Sequence, residues 1–133
     1  AAGRIGTLDY LRVFRGQDGL FGFRADWMFT GELLGGGAMM DVGIHVTDLV
    51  NHIAGDIVQV SGIETIGVEF EGSEDEAITI MRTERNAPVQ YEATWTDQKG
   101  YRTFIEACGD LGMVRAYYAS MSATLDHAGE AGR

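Results

Sequence analysis

The chain changes its hydrophobic period once, at Gly55, and that change restricts its fold more than any other feature. Ahead of it, residues 38–54 (AMMDVGIHVTDLVNHIA) place apolar side chains at helical spacing, and Gly55 stands where a helix commonly ends. Beyond it the period is 2, and strands are expected over 57–70, 75–84, 88–96, 101–108 and 113–119. The separators are Glu71-Gly72-Ser73, Asn86-Ala87, Asp97-Gln98-Lys99-Gly100 and Gly109-Asp110-Leu111-Gly112. Connections this short favour antiparallel hairpins. Upstream, 7–15 (TLDYLRVFR) is rich in β-branched and aromatic residues and reads as one more strand, ending at Gly16. Alternation fails at Ser61-Gly62-Ile63, where a β-bulge is expected, and the small, polar stretch 120–133 is expected to fray.

These elements make an α+β fold: an open-faced, mostly antiparallel sheet of about six strands with one main helix packed on one face, in a single domain over residues 1–133. Six strands about 4.8 Å apart span roughly 25–29 Å. A helix about 10 Å across covers less than half of one such face. Val89, Tyr91, Ala93 and Trp95 face one way, and Gln90, Glu92, Thr94 and Thr96 the other. The second face, with its Thr, Gln, Glu and Tyr residues, either meets water or is covered by a partner chain.

Charge narrows the functional classes. The net charge is −10 and the ten basic residues are scattered, so neither nucleic acid nor an anionic membrane is an expected partner. Nothing resembles a signal peptide, and no apolar run is expected to span a membrane. A single cysteine, Cys108, fits a reducing, cytoplasmic setting. The chain opens Ala1-Ala2-Gly3 without methionine, so a longer parent is expected.

On a helix of 100° per residue, Val42, Leu49, Ile53, Val46, Met39 and Val50 fall within an arc of about 100°, the core face. Asp41, His45, Asp48 and His52 gather within about 60° on another side. Neighbours four apart lie about 5–6 Å apart at Cβ, and a carboxylate beside a histidine favours imidazolium and orients the ring. Three readings of this stripe stand: a solvated helix face, a metal site, or acid/base machinery. The metal site lacks a further His or Cys cluster to complete its shell, and no metal is expected. Acid/base work is favoured by what precedes the helix. Gly35, Gly36 and Gly37 permit a backbone path few residues could follow, and Gly43 inside the helix costs about 0.5–1 kcal/mol unless something must approach closely. The glycine- and aromatic-rich segment from Gln17 to Gly37 is long for a structureless connection, and Arg24, Asp26, Trp27 and Thr30 within it border either a substrate pocket or a packed loop.

The string GGGAMMDVGIHVTDLVNHIAG, residues 35–55, resembles the GGG-x-x-x-D-x-G-x-H-x-x-D-L signature of the Gfo/Idh/MocA oxidoreductases, the glucose–fructose oxidoreductase and inositol dehydrogenase family. Gly3-Arg4-Ile5-Gly6, Trp27 ahead of the glycines, and the stretch from Ile105 to Gly112 are similar to looser features of that family's second domain. The resemblance implies a parent with an N-terminal Rossmann domain for NAD or NADP and a C-terminal domain whose open sheet joins two subunits into a homodimer. It makes His45 the catalytic histidine that takes the proton of a carbohydrate-like substrate, with Asp41 assisting, and Asp48 a structural position. His52 and His127 receive no role. The family's G-x-G-x-x-G fingerprint and its catalytic Glu-Lys-Pro lysine are missing, and Lys99 cannot replace the latter. No cofactor is therefore expected on this chain, which should be inactive alone. A non-catalytic dimerisation or interaction domain of the same fold is the alternative.

Overall fold

A computed structural model describes residues 3–18, 25–66, 73–97, 101–118 and 122–127. Seven strands form one sheet in the order β2-β3-β4-β1-β5-β6-β7. They are β1 (Leu8–Gly16), β2 (Ile57–Ile66), β3 (Glu76–Thr83), β4 (Pro88–Thr94), β5 (Arg102–Gly109), β6 (Gly112–Tyr117) and β7 (Ser122–His127). The α+β class, the open face and the dominance of antiparallel pairing are as the sequence implied, with β1–β4 the one parallel pair among the described strands.

Two expectations need correction. The stretch expected to fray supplies β7, paired to β6 from Gly112↔His127 to Tyr117↔Ser122 as the last strand of the sheet. Its small, polar residues hide the alternation that marks the other strands, and backbone pairing needs no apolar side chain. The link 95–101 also does not close a hairpin, because β1 lies between β4 and β5. The first strand thus becomes the central one, and Leu11 and Val13 on it are buried. The bulge near Ser61-Gly62-Ile63 is present as a register shift between Val60 and Gly62.

The helical stretch is not uniform. A short α1 (Gly31–Leu34) ends at Gly35 in the left-handed region (φ 86°), and a π-helical turn (Met39–Gly43) leads into α2 (Ile44–Ala54). By length and composition alone Gly31–Ala54 could cross a membrane, which amends the reading of the apolar runs. In the fold it is broken at the glycines, and its apolar side is seated on the sheet. Val42, Val46, Val50 and Ala54 pack on Leu11, Val13, Met81, Val89, Tyr91 and Trp95, with Ala93 filling between them. Each large side chain so buried contributes about 1.5–3 kcal/mol.

Glu74, just before β3, closes the helix start. Its carboxylate accepts the N–H groups of Gly37 (2.9 Å) and Met39 (2.9 Å), and its carbonyl accepts that of Ala38 (2.8 Å). Three helix-start donors thus find partners on a distant segment. The approach is so close that a Cβ on residue 37 would collide with the Glu74 backbone, which is why glycine stands there. Gly43 meets the same kind of limit from below, where a Cβ would strike the Tyr91 hydroxyl.

Candidate active site

The helix packs on β1, β3 and β4, and among the described residues the β5–β6 part of the same face is left uncovered. A cleft of about 570 Å³ occupies that space. Its helix wall is His45 and Leu49, and its sheet wall includes Arg15, Thr103 and Ile105. Tyr101, Tyr117 and Tyr118 stand at the strand ends around it. This is a mostly apolar hollow with a few polar groups, the usual form of a small-molecule site.

The polar stripe divides across this geometry. His45 is exposed and faces the cleft, one turn beyond Asp41. Asp41 is half-buried and turns toward the strand ends, where its Oδ2 accepts Trp95 Nε1–H (2.8 Å) and Gln17 Nε2–H (2.9 Å). Both donors are buried, so the carboxylate is held from two sides. Asp48 and His52 are exposed on α2, and neither side chain hydrogen-bonds another described residue. Among the described residues no three His, Cys, Asp or Glu side chains gather as a metal shell.

The segment ahead of the helix is placed differently from expectation. Asp26 and Trp27 lie on a single 3₁₀ turn, Asp26–Phe29, and are exposed with Thr30, whose carbonyl accepts the N–H groups of Leu33 and Leu34. None of the three lines the cleft with His45. Arg24 lies outside the described residues, as does the side chain of His127.

In their place stand residues that the pattern did not single out. Leu11, Val13, Arg15 and Gln17 share the inward face of β1 and its continuation, and the last two are polar where the period calls for core. A charge at an inward strand position was the available signal. Arg15 is 9% exposed, and its Nη1–H donates to Thr103 Oγ1 (2.7 Å). Its guanidinium lies over the Tyr101 ring at 4.4 Å. Burial lowers its pKa, and nearby Tyr118 and Asp41 act in the opposite direction. Behind the helix, burial raises the Tyr91 hydroxyl pKa, against which the hydrogen bond from Thr47 works.

The fold, a helix laid across half of an open sheet, is shared with solved dehydrogenases. Levoglucosan dehydrogenase, solved with NADH and levoglucosan, superposes with a TM-score of 0.86 at 21% identity, over 96% of this chain and 38% of its own. The WlbA dehydrogenase from Bordetella pertussis, solved with NADH and UDP-GlcNAcA, gives 0.80 at 20%, over 95% and 38%. GenD2 from gentamicin A biosynthesis, solved with NAD, gives 0.78 at 26%, over 88% and 34%. The family model of the GFO/IDH/MocA C-terminal domain matches residues 1–115, and the chain belongs to that family. Proteins of curated function include no match to it. The chain spans a little over a third of the length of these solved relatives.

Proposed function

We propose that this chain is the substrate-binding and catalytic half of an NAD(P)-dependent oxidoreductase acting on a sugar, polyol or cyclitol, and that it is inactive alone. The observation that carries the reading is His45 on the wall of the cleft, one turn after a carboxylate fixed by Trp95 and Gln17. Oxidation of an alcohol leaves a hydroxyl proton that needs a base, and an accessible imidazole can take it. Asp41 sets the start of the helix, one turn before the histidine, against the strand ends through Trp95 and Gln17. Asp26, Trp27 and Thr30 would then border the substrate only in the parent, where a further domain can close over them.

The residues here do not fit a dinucleotide. The fold's natural phosphate site, the N-terminus of the main helix, already has its N–H groups bonded to Glu74. No glycine fingerprint opens that helix from a parallel strand. The cofactor therefore belongs to the parent's other domain, and this chain's part is to bind, orient and deprotonate. The cytoplasm is the setting that suits the half-buried thiol of Cys108.

The test is the parent protein, joined to its upstream segment and assayed by nicotinamide absorbance against a panel of sugars, polyols and cyclitols. Turnover that His45→Asn abolishes supports the reading. A parent that binds neither NAD nor NADP favours the second reading, a dimerisation domain of the same fold, to which the aromatic row on the open face already lends weight.

A further inference from the structure

Among the described residues lining the cleft beside His45, Arg15 is the one arginine or lysine, and it forms no ion pair with a described carboxylate. Arg15 is more than nine-tenths buried, and its Nε is a buried donor with no hydrogen-bond partner. A guanidinium carries five N–H donors in a planar fork. Among the described residues the only acceptor it reaches is Thr103 Oγ1, and no carboxylate lies within ion-pair distance of it. Nor is any described residue lining the cleft acidic, in a chain with 20 acidic residues against 10 basic ones. Asp41 is near enough to be felt by Arg15, but its Oδ2 is engaged by Trp95 and Gln17.

A buried arginine left in this state is costly, because a charge out of water is tolerated only when paired and hydrogen-bonded. Its geometry is also held in advance, by stacking on the Tyr101 ring and the hydrogen bond to Thr103. We infer that Arg15 is the binding group for a carboxylate on the substrate, so that the cleft takes a sugar acid rather than a neutral sugar. This rests on the reading of the cleft as the substrate site and deepens it.

The single guanidinium decides between anions. A phosphate carries up to two charges, and sites for it draw on several cations or a helix N-terminus. Here the helix N-terminus is engaged by Glu74, and Arg15 is the one arginine or lysine among the described residues that line the cleft. One fork matches one planar monoanion. Tyr101 and Tyr118 offer ring faces and hydroxyls to the rest of a polyhydroxylated molecule. With the acid group held at Arg15, the hydroxyl to be oxidised faces the helix wall where His45 stands.

The test uses this chain and nuclear magnetic resonance of the Arg15 side-chain Nε–H, with sodium glucuronate and methyl glucoside as probes. Glucuronate is expected to shift that resonance together with signals of His45. Its affinity should exceed that of the neutral glucoside by about ten- to a hundredfold, the effect of one charge-assisted contact. Arg15→Met should erase the preference while leaving weak binding of both probes. Arg15→Lys, which keeps the charge but loses the fork, should retain only part of it. Equal binding of the two probes, or a preference that survives in Arg15→Met, overturns the inference, as does a glucuronate shift confined to other residues. Failure here leaves the role of His45 standing, since that is read from turnover of the parent. If His45→Asn keeps full turnover while glucuronate still selects Arg15, the catalytic reading fails and the acid preference remains.

Discussion

Asp41 and His45 sit one turn apart yet should fail in different ways when altered. Removing the imidazole in the parent, by His45→Asn, should lower kcat by about 10²–10⁴ with little change in stability, because the ring is exposed. Asp41→Ala instead strands the buried Trp95 and Gln17 donors, at about 1–3 kcal/mol for each. Asp41→Asn keeps an acceptor for them, so it should recover most of that stability while still lowering kcat. Urea unfolding alongside steady-state kinetics separates the two effects. An Asp41→Ala protein as stable as wild type would show that the two bonds do not anchor the helix. Much of this was legible, since the spacing of Asp41 and His45 and the glycines before them are local features. Arg15, Gln17 and Glu74 were not, because their partners lie on segments far away in sequence, and the polar character of an inward strand position says nothing about which cleft it enters.

At the scale of elements, the helix is positioned by contacts at its two tightest points. Glu74→Ala should destabilise the protein by about 1–2 kcal/mol, since two helix-start N–H groups lose their acceptors, and Glu74→Gln by less. At Gly43, helix propensity alone predicts that alanine stabilises by up to about 1 kcal/mol. The Tyr91 hydroxyl reverses that sign, with the Ala93 Cβ only 3.1 Å from the added methyl as well, so Gly43→Ala should cost about 1–3 kcal/mol. Tyr91→Phe removes the obstructing oxygen, and the double variant should be more stable than the sum of the single changes allows. Additive free energies in a double-mutant cycle would refute the close approach. The elements themselves were readable because strands with one buried face alternate and hairpins are short. The seat of β1 was not, because pairing between β1 and β4 or β5 is set by the whole sheet, and β7 lacked the apolar alternation that reveals a strand.

At the scale of the molecule, the outward face of the sheet carries two rows set by strand register. Ile78, Glu92, Phe14, Phe104 and Tyr117 form one, with the Phe14 and Phe104 rings stacked at 5.3 Å. Ile80, Gln90, Arg12, Glu106 and Arg115 form the other, where Glu106 bonds both arginines. Seven strands about 4.8 Å apart and about 20–25 Å long present on the order of 600–700 Å², close to the roughly 800 Å² each partner contributes to a standard interface. We expect a homodimer through this face, dissociated by Ile80→Arg without loss of helical and strand signal in circular dichroism. Glu92 adds a pH dependence. Burial first, then the neighbouring Glu76, raises its pKa, with Arg102 opposing. The folded protein therefore holds this proton more tightly than the unfolded chain does, and stability falls as pH rises through the raised value. It is regained as pH falls toward the unfolded value of about 4.3. A partner covering the face would bury Glu92 further and extend the same sign to association. Sedimentation equilibrium should then show a tighter dimer at mildly acidic pH than at neutral pH, and Glu92→Gln should remove the difference while tightening the neutral-pH dimer. A wild-type chain that stays monomeric at micromolar concentration, or a dimer whose affinity ignores both pH and residue 92, would place the contact elsewhere on the molecule.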